Sequence, residues 1–103
     1  THSSDAKVTK ILKMDFIDII ELALHDNDWC VRKASIKACV GRNDVPIGII
    51  ERAMHDIDFD VRGAAIAACF GRDVPIDIIE RWLHDADSGV RVAAIEILSE
   101  ATK

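Results

Sequence analysis

Residues 49–77 read IIERAMHDIDFDVRGAAIAACFGRDVPID, and close copies flank them on both sides. Residues 19–48 read IIELALHDNDWCVRKASIKACVGRNDVPIG, and residues 78–103 read IIERWLHDADSGVRVAAIEILSEATK. His25, His55 and His84 mark the register, 30 and then 29 residues apart. Self-similarity at such a period is the signature of stacked structural units, none of which can bury its apolar stripe alone. The lost residue falls where Asn43-Asp44-Val45-Pro46 shortens to Asp73-Val74-Pro75, a stretch of loop composition, and loops absorb changes of length.

Each unit divides into two short helical patterns. In the middle copy Ile47, Ile50 and Met54 recur at helical spacing, with Ile49 and Ala53 widening the stripe. Pro46 suits the first helical position, where its missing N–H has no partner to lose, and it holds Val45 out of the helix. The pattern breaks at His55-Asp56-Ile57-Asp58 and resumes with Val61, Ala64, Ala65, Ala68 and Cys69. Gly71 closes it, a residue free to take the left-handed cap conformation. Asp58 occupies the N-cap position, where a side-chain oxygen accepts a backbone N–H, and Asp28 and Asp87 hold the same place in the other copies. No segment alternates with period two, so the expected fold is all-α. Three helix–turn–helix units are expected over residues 15–44, 45–73 and 74–103. Residues 1–14 supply either a short helix capping the array or the remnant of a preceding unit, and the chain is either whole or a piece of a longer protein.

Composition narrows the function. Of 103 residues half are apolar and 30% charged, the mix of a folded domain, and 13 basic against 18 acidic residues give a formal charge of −5. Phosphate binding draws on clustered Lys and Arg, so nucleic acid is not an expected partner. No apolar run approaches the ~20 residues of a membrane span, so no membrane partner is expected, and with no secretory leader the expected compartment is cytoplasmic. Three cysteines without a close pair argue against a disulfide framework or a zinc site.

The tract LHDNDWCVRKASIKAC, with its partners MHDIDFDVRGAAIAAC and LHDADSGVRVAAIEIL, resembles the HEAT-repeat pattern L-x-D-x-D-x-x-V-R-x-A-A-x-x-A-L. It is most similar to the short bacterial HEAT-like subclass named after phycobilisome lyases, and the resemblance spans about residues 15–103. It implies an α-solenoid, a right-handed superhelix of three HEAT-like pairs plus a short N-terminal helix. It further implies a ladder between units, formed by Asp26, Asp56 and Asp85 with Arg32, Arg62 and Arg91. A guanidinium fork matches a carboxylate with two hydrogen bonds, so such a pair is geometrically exacting. Ala34, Ala38, Ala64, Ala68 and Ala94 would let second helices approach first ones closely. The third copy ends in Leu98-Ser99-Glu100-Ala101 without the glycine, as expected of either a polar closing unit or a truncation. The family's hydroxylase branch uses adjacent His-Glu pairs, and this sequence has none.

Candidate sites carry competing readings. His25, Asp26 and Asp28, repeated at His55 and His84, offer nitrogen and oxygen ligands of a kind zinc accepts. The same atoms serve equally as ladder member, helix cap and helix-end cation, and units stacked ~8–10 Å apart do not share one ion. No metal and no cofactor is therefore expected. Cys39, Cys69 and Leu98 align, a core pattern, whereas Cys30 aligns with Asp60 and Gly89 and is the more accessible thiol. Trp29 and Phe59 align early in the second helices, where they either anchor a partner or pack over the adjacent unit. Lys33 and Lys37, Gly63 and Ala67, then Val92 and Glu96 should line an inner face that runs from basic through small to acidic. The expected function is a non-catalytic protein-interaction or scaffolding module whose partner is a protein or peptide, the chain itself being monomeric or weakly self-associating. The alternative is a domain of a phycobilin-lyase-like protein handling a bilin chromophore.

Overall fold

The structure, a computed structural model, describes residues 14–103. The expected N-terminal helix lies, but for Met14, outside the described residues. The elements are α1 (Phe16–Ala23), α2 (Trp29–Lys37), α3 (Ile47–Met54), α4 (Phe59–Ala67), α5 (Ile76–Glu80) running into a 3-10 turn (Arg81–His84), and α6 (Ser88–Ala101). No strand occurs among the described residues.

The second helices start where the sequence places their caps. Asp28 accepts the Cys30 N–H at 2.8 Å, Asp58 those of Asp60 and Val61 at 2.8 and 3.2 Å, and Asp87 that of Val90 at 3.1 Å. Asp15 caps α1 in the same way through the Asp18 N–H at 2.9 Å. Pro46 stands one residue earlier than expected, and Pro75 holds the same place in the third pair. Their ψ values of 138° and 135° are extended, which makes them N-caps and leaves Ile47 and Ile76 as the first helical residues. Gly41 and Gly71 both adopt φ +77°, the left-handed conformation that turns the chain after α2 and α4. In the third pair the last turn of the first helix tightens to 3-10, at the point where Trp82 replaces the alanine of the other copies.

Packing runs from neighbour to neighbour. α1 pairs with α2, α3 with α4 and α5 with α6, and the pairs join chiefly through α2 on α4 and α4 on α6. Ile36, Ile50, Met54, Val61, Ile66, Ile79 and Val90 are fully buried between them, with Cys39 and Cys69 filling the same core. Complete burial of one such side chain contributes roughly 1.5–3 kcal/mol. Ala65, Ala68 and Ala94 are buried where helices approach closely, and Ala64 is half-buried. Ala34 and Ala38 depart from expectation and are exposed. They lie in the first pair, on which no described unit packs from the N-terminal side. The third pair is likewise less closed than Ser99 and Glu100 suggest, because α6 exposes Val92 and Ile95.

Candidate interaction surface

The His-Asp-x-Asp turns organise the joints between pairs. Arg32 on α2 reaches forward to Asp56, with Nε–Oδ2 at 2.9 Å and Nη2–Oδ1 at 3.1 Å. Arg62 on α4 forks onto Asp85 with both bonds at 2.9 Å. The remaining Nη1 of each donates backward to two carbonyls of its own turn, those of Asp26 and Asn27 for Arg32 and of Asp56 and Ile57 for Arg62. Each arginine therefore clamps its own turn while holding the next. Asp56 and Asp85 also accept the N–H groups of Asp58 and Asp87 at 2.9 Å. Burial works against ionisation of Asp56, but the Arg32 bonds and the Asp58 N–H outweigh it and hold its carboxyl below the ordinary value. For Asp85 the Arg62 fork dominates, and its carboxyl is likewise held low against a burial penalty. The ladder has two rungs among the described residues, not three. Among the described residues Asp26 faces no arginine and Arg91 no carboxylate, the first having no described unit before it and the second none after it.

A further link, from the end of the second unit to its own start and to the last loop of the first, escaped the sequence reading. Arg72, just past Gly71, donates Nη2 to the Val45 carbonyl at 2.6 Å and Nη1 to that of Arg42 at 3.3 Å. Its counterpart Arg42 stacks its guanidinium 3.8 Å from the Phe16 ring centroid. The repeated Gly-Arg at 41–42 and 71–72 was the available signal.

Trp29 and Phe59 are both about half exposed at the turn edge of α2 and α4. Ile57, which the sequence did not single out, stands on the same edge, 93% exposed. Lys33 Nζ lies 5.8 Å from the Trp29 ring centroid and 3.9 Å from Asp60, bridging the two pairs. Two shallow grooves run along the second helices. One of about 440 Å³ is lined by Lys33, Lys37, Phe59, Asp60, Gly63, Ala64, Ala67, Asp87, Gly89 and Ala93. The other, about 600 Å³, is lined by Ala67, Phe70, Ala93, Ile95, Glu96 and Ile97. Ala67 and Ala93 line both, so the two grooves adjoin. Val92 is exposed on α6 but lines neither.

The candidate metal turns use their oxygens locally. Asp26 accepts the Asp28 N–H at 2.8 Å and Asp28 that of Cys30, and no group of three or more His, Cys, Asp or Glu comes together among the described residues. Cys39 and Cys69 are buried, and burial pushes the Cys69 thiol up to about 11. Cys30 is exposed, yet desolvation and the Asp28 carboxylate push its thiol up as well, away from nucleophilic activation. No described helix is long and apolar enough to cross a membrane.

Helical pairs stacked in chain order, joined by arginine–aspartate rungs and exposing a grooved face of second helices, define a repeat protein of the α-solenoid class. The sequence model of a family described as HEAT repeat associated with sister chromatid cohesion matches residues 9–38 and 76–98, just over half of the chain. The chain belongs to the HEAT-repeat family, whose members generally mediate protein–protein contact and are typically non-catalytic. The matched model is not that of the short bacterial subclass. No curated protein and no solved structure matches the chain.

Proposed function

We propose that this chain is a non-catalytic interaction module that holds an extended peptide segment along the second-helix face. The observation that carries it is the pair of adjoining grooves, lined by the small residues Gly63, Ala64, Ala67 and Ala93 and by exposed Phe59, Phe70 and Ile95. Small residues on the floor let a backbone approach closely, and aromatic walls concentrate binding energy. Lys33 and Lys37 line one end of these grooves together with Asp60 and Asp87, and Glu96 and Glu100 line the other. The acidic end suits a segment that carries basic residues beyond its apolar anchor, and it sets the binding direction. Trp29 adds an anchor at the turn edge.

Selection from a random peptide library, followed by affinity measurement on Ala67→Arg and Phe59→Ser variants, tests the reading. Ala67 is exposed at the end of α4, so an arginine there blocks both grooves while leaving the helical circular dichroism unchanged. At least a tenfold loss of affinity for selected peptides is expected in each variant. Undiminished binding by folded Ala67→Arg would remove the groove from the proposal.

A further inference from the structure

The two ends of the stack present the two halves of the joint that holds its pairs together. Arg91 occupies at the C-terminal end the position of Arg32 and Arg62, and Asp26 at the N-terminal end that of Asp56 and Asp85. Neither has an ion-pair partner among the described residues. Both are already posed for one. Arg91 Nη1 donates to the carbonyls of Asp85 and Ala86 at 2.6 and 3.1 Å, the same backward clamp that aims the fork of Arg32 and Arg62. Asp26 accepts the Asp28 N–H at 2.8 Å, just as Asp56 and Asp85 accept theirs.

The apolar surroundings are split in the same way. Ile66 is fully buried under the following pair, whereas its counterpart Ile95 is 56% exposed. At the other end Ile19 and Val31 are 52% and 39% exposed, while the matching Ile49 and Val61 are 4% and 0% exposed under the preceding pair. Among the described residues, one end thus offers an unpaired carboxylate among apolar side chains, and the other an unpaired guanidinium among apolar side chains.

We infer that the chain associates head to tail with a second copy of itself, Asp26 of one copy receiving Arg91 of the next and Ile95 seating against Ile19 and Val31. The occupant follows from complementarity of charge and from continuity with the internal joint, which this contact repeats. Pairing of like ends would set Asp26 against Asp26 or Arg91 against Arg91, and like charges at a contact are strongly disfavoured. Because the two ends differ, the contact is heterologous and does not close at two copies.

The test is sedimentation equilibrium of the full chain at low salt, with two single variants at exposed positions. Val31→Glu blocks the N-terminal end and Ile95→Glu the C-terminal end, each with circular dichroism as the check on folding. The wild-type chain should show a mean mass that rises with concentration past that of a dimer and falls with added salt. Each variant alone should associate at least tenfold more weakly. An equimolar mixture should form a one-to-one dimer and nothing larger, since it holds one intact end of each kind. A wild-type chain that stays monomeric at ~1 mM, one that stops at a symmetric dimer, or a mixture in which the variants ignore each other would each overturn the inference. Solvent protection of Ile19 and Val31 in a monomer would also overturn it, placing residues 1–13 on that face instead.

Discussion

Replacing Arg62 with methionine removes four hydrogen bonds while keeping most of the side-chain stem. Two go to Asp85 at 2.9 Å and two to the carbonyls of Asp56 and Ile57 at 3.0 Å. The pair is largely buried, with side-chain exposures of 17% and 6%, so Arg62→Met strands the Asp85 carboxylate with only the Asp87 N–H for a partner. Breaking such a pair from one side costs about 3 kcal/mol. Arg91→Met supplies the control that the repeat makes available. It deletes the same two backward bonds, to Asp85 and Ala86, but no carboxylate pair, and should cost about 1 kcal/mol. The difference of about 2 kcal/mol, roughly thirtyfold in the unfolding equilibrium, isolates the rung between pairs. Urea titration followed by far-ultraviolet circular dichroism reads both variants, provided the slope against denaturant is unchanged. Equal destabilisation by Arg62→Met and Arg91→Met would refute the claim that the Asp85 fork holds the pairs together.

Gly71→Ala meets no atom within 4 Å, so its effect is purely conformational at φ +77°, and a loss of about 1 kcal/mol in the same titration is expected. Asp58→Ala orphans two N–H groups at the start of α4 and should also cost about 1 kcal/mol. The carboxyls of Asp56 and Asp85 are lower in the folded than in the unfolded chain, so their stabilisation is complete above the ordinary value of 3.8. It disappears as pH falls through their lower folded values, and urea midpoints should drop as pH falls below 3.8, less steeply in an Asp56→Asn/Asp85→Asn chain. With a thiol reagent in excess, Cys30 should react in the native state, and Cys39 and Cys69 only as fast as the stack opens.

The internal logic of a unit was legible in the sequence because it depends on local rules. An aspartate before a helix accepts an N–H wherever the helix sits, and Gly71 turns left wherever an α-helix must end. A ladder of these arginines and aspartates between units followed from resemblance, whereas its direction, Arg32 to Asp56 and Arg62 to Asp85, is visible only in the fold. What the sequence left open depends on neighbours. Ala34 and Ala64 are the same residue in the same helical position, yet one is exposed and the other half-buried. Periodicity names the face a side chain occupies and says nothing about whether a unit covers that face. The same gap hid the open ends at Asp26 and Arg91. Ile57 and Phe70 went unnoticed for a related reason: each sits in or beside a turn, outside the helical stripe, where apolar spacing carries no signal.

Position in the stack, more than residue type, decides here what is core and what is contact surface. A compact bundle satisfies its apolar residues around one centre, so an exposed isoleucine on it is incidental. In this chain the buried surface is made between pairs, and the rule that seats α2 on α4 and α4 on α6 leaves one unsatisfied copy of the joint at each end of the described stack. The second-helix face follows a different rule. Its floor stays open because Gly63, Ala64 and Ala67 are too small to fill it, and repetition of the unit along the stack covers only the Ile95 part of its wall. Two contact surfaces therefore arise from separate features of one repeat, and they are separable by substitution. Ala67→Arg should abolish groove binding and leave head-to-tail association intact, while Ile95→Glu should suppress association even though Ile95 also lines the groove wall. Loss of both properties in Ala67→Arg would mean that a single surface serves both, contrary to the geometry of α4 and α6.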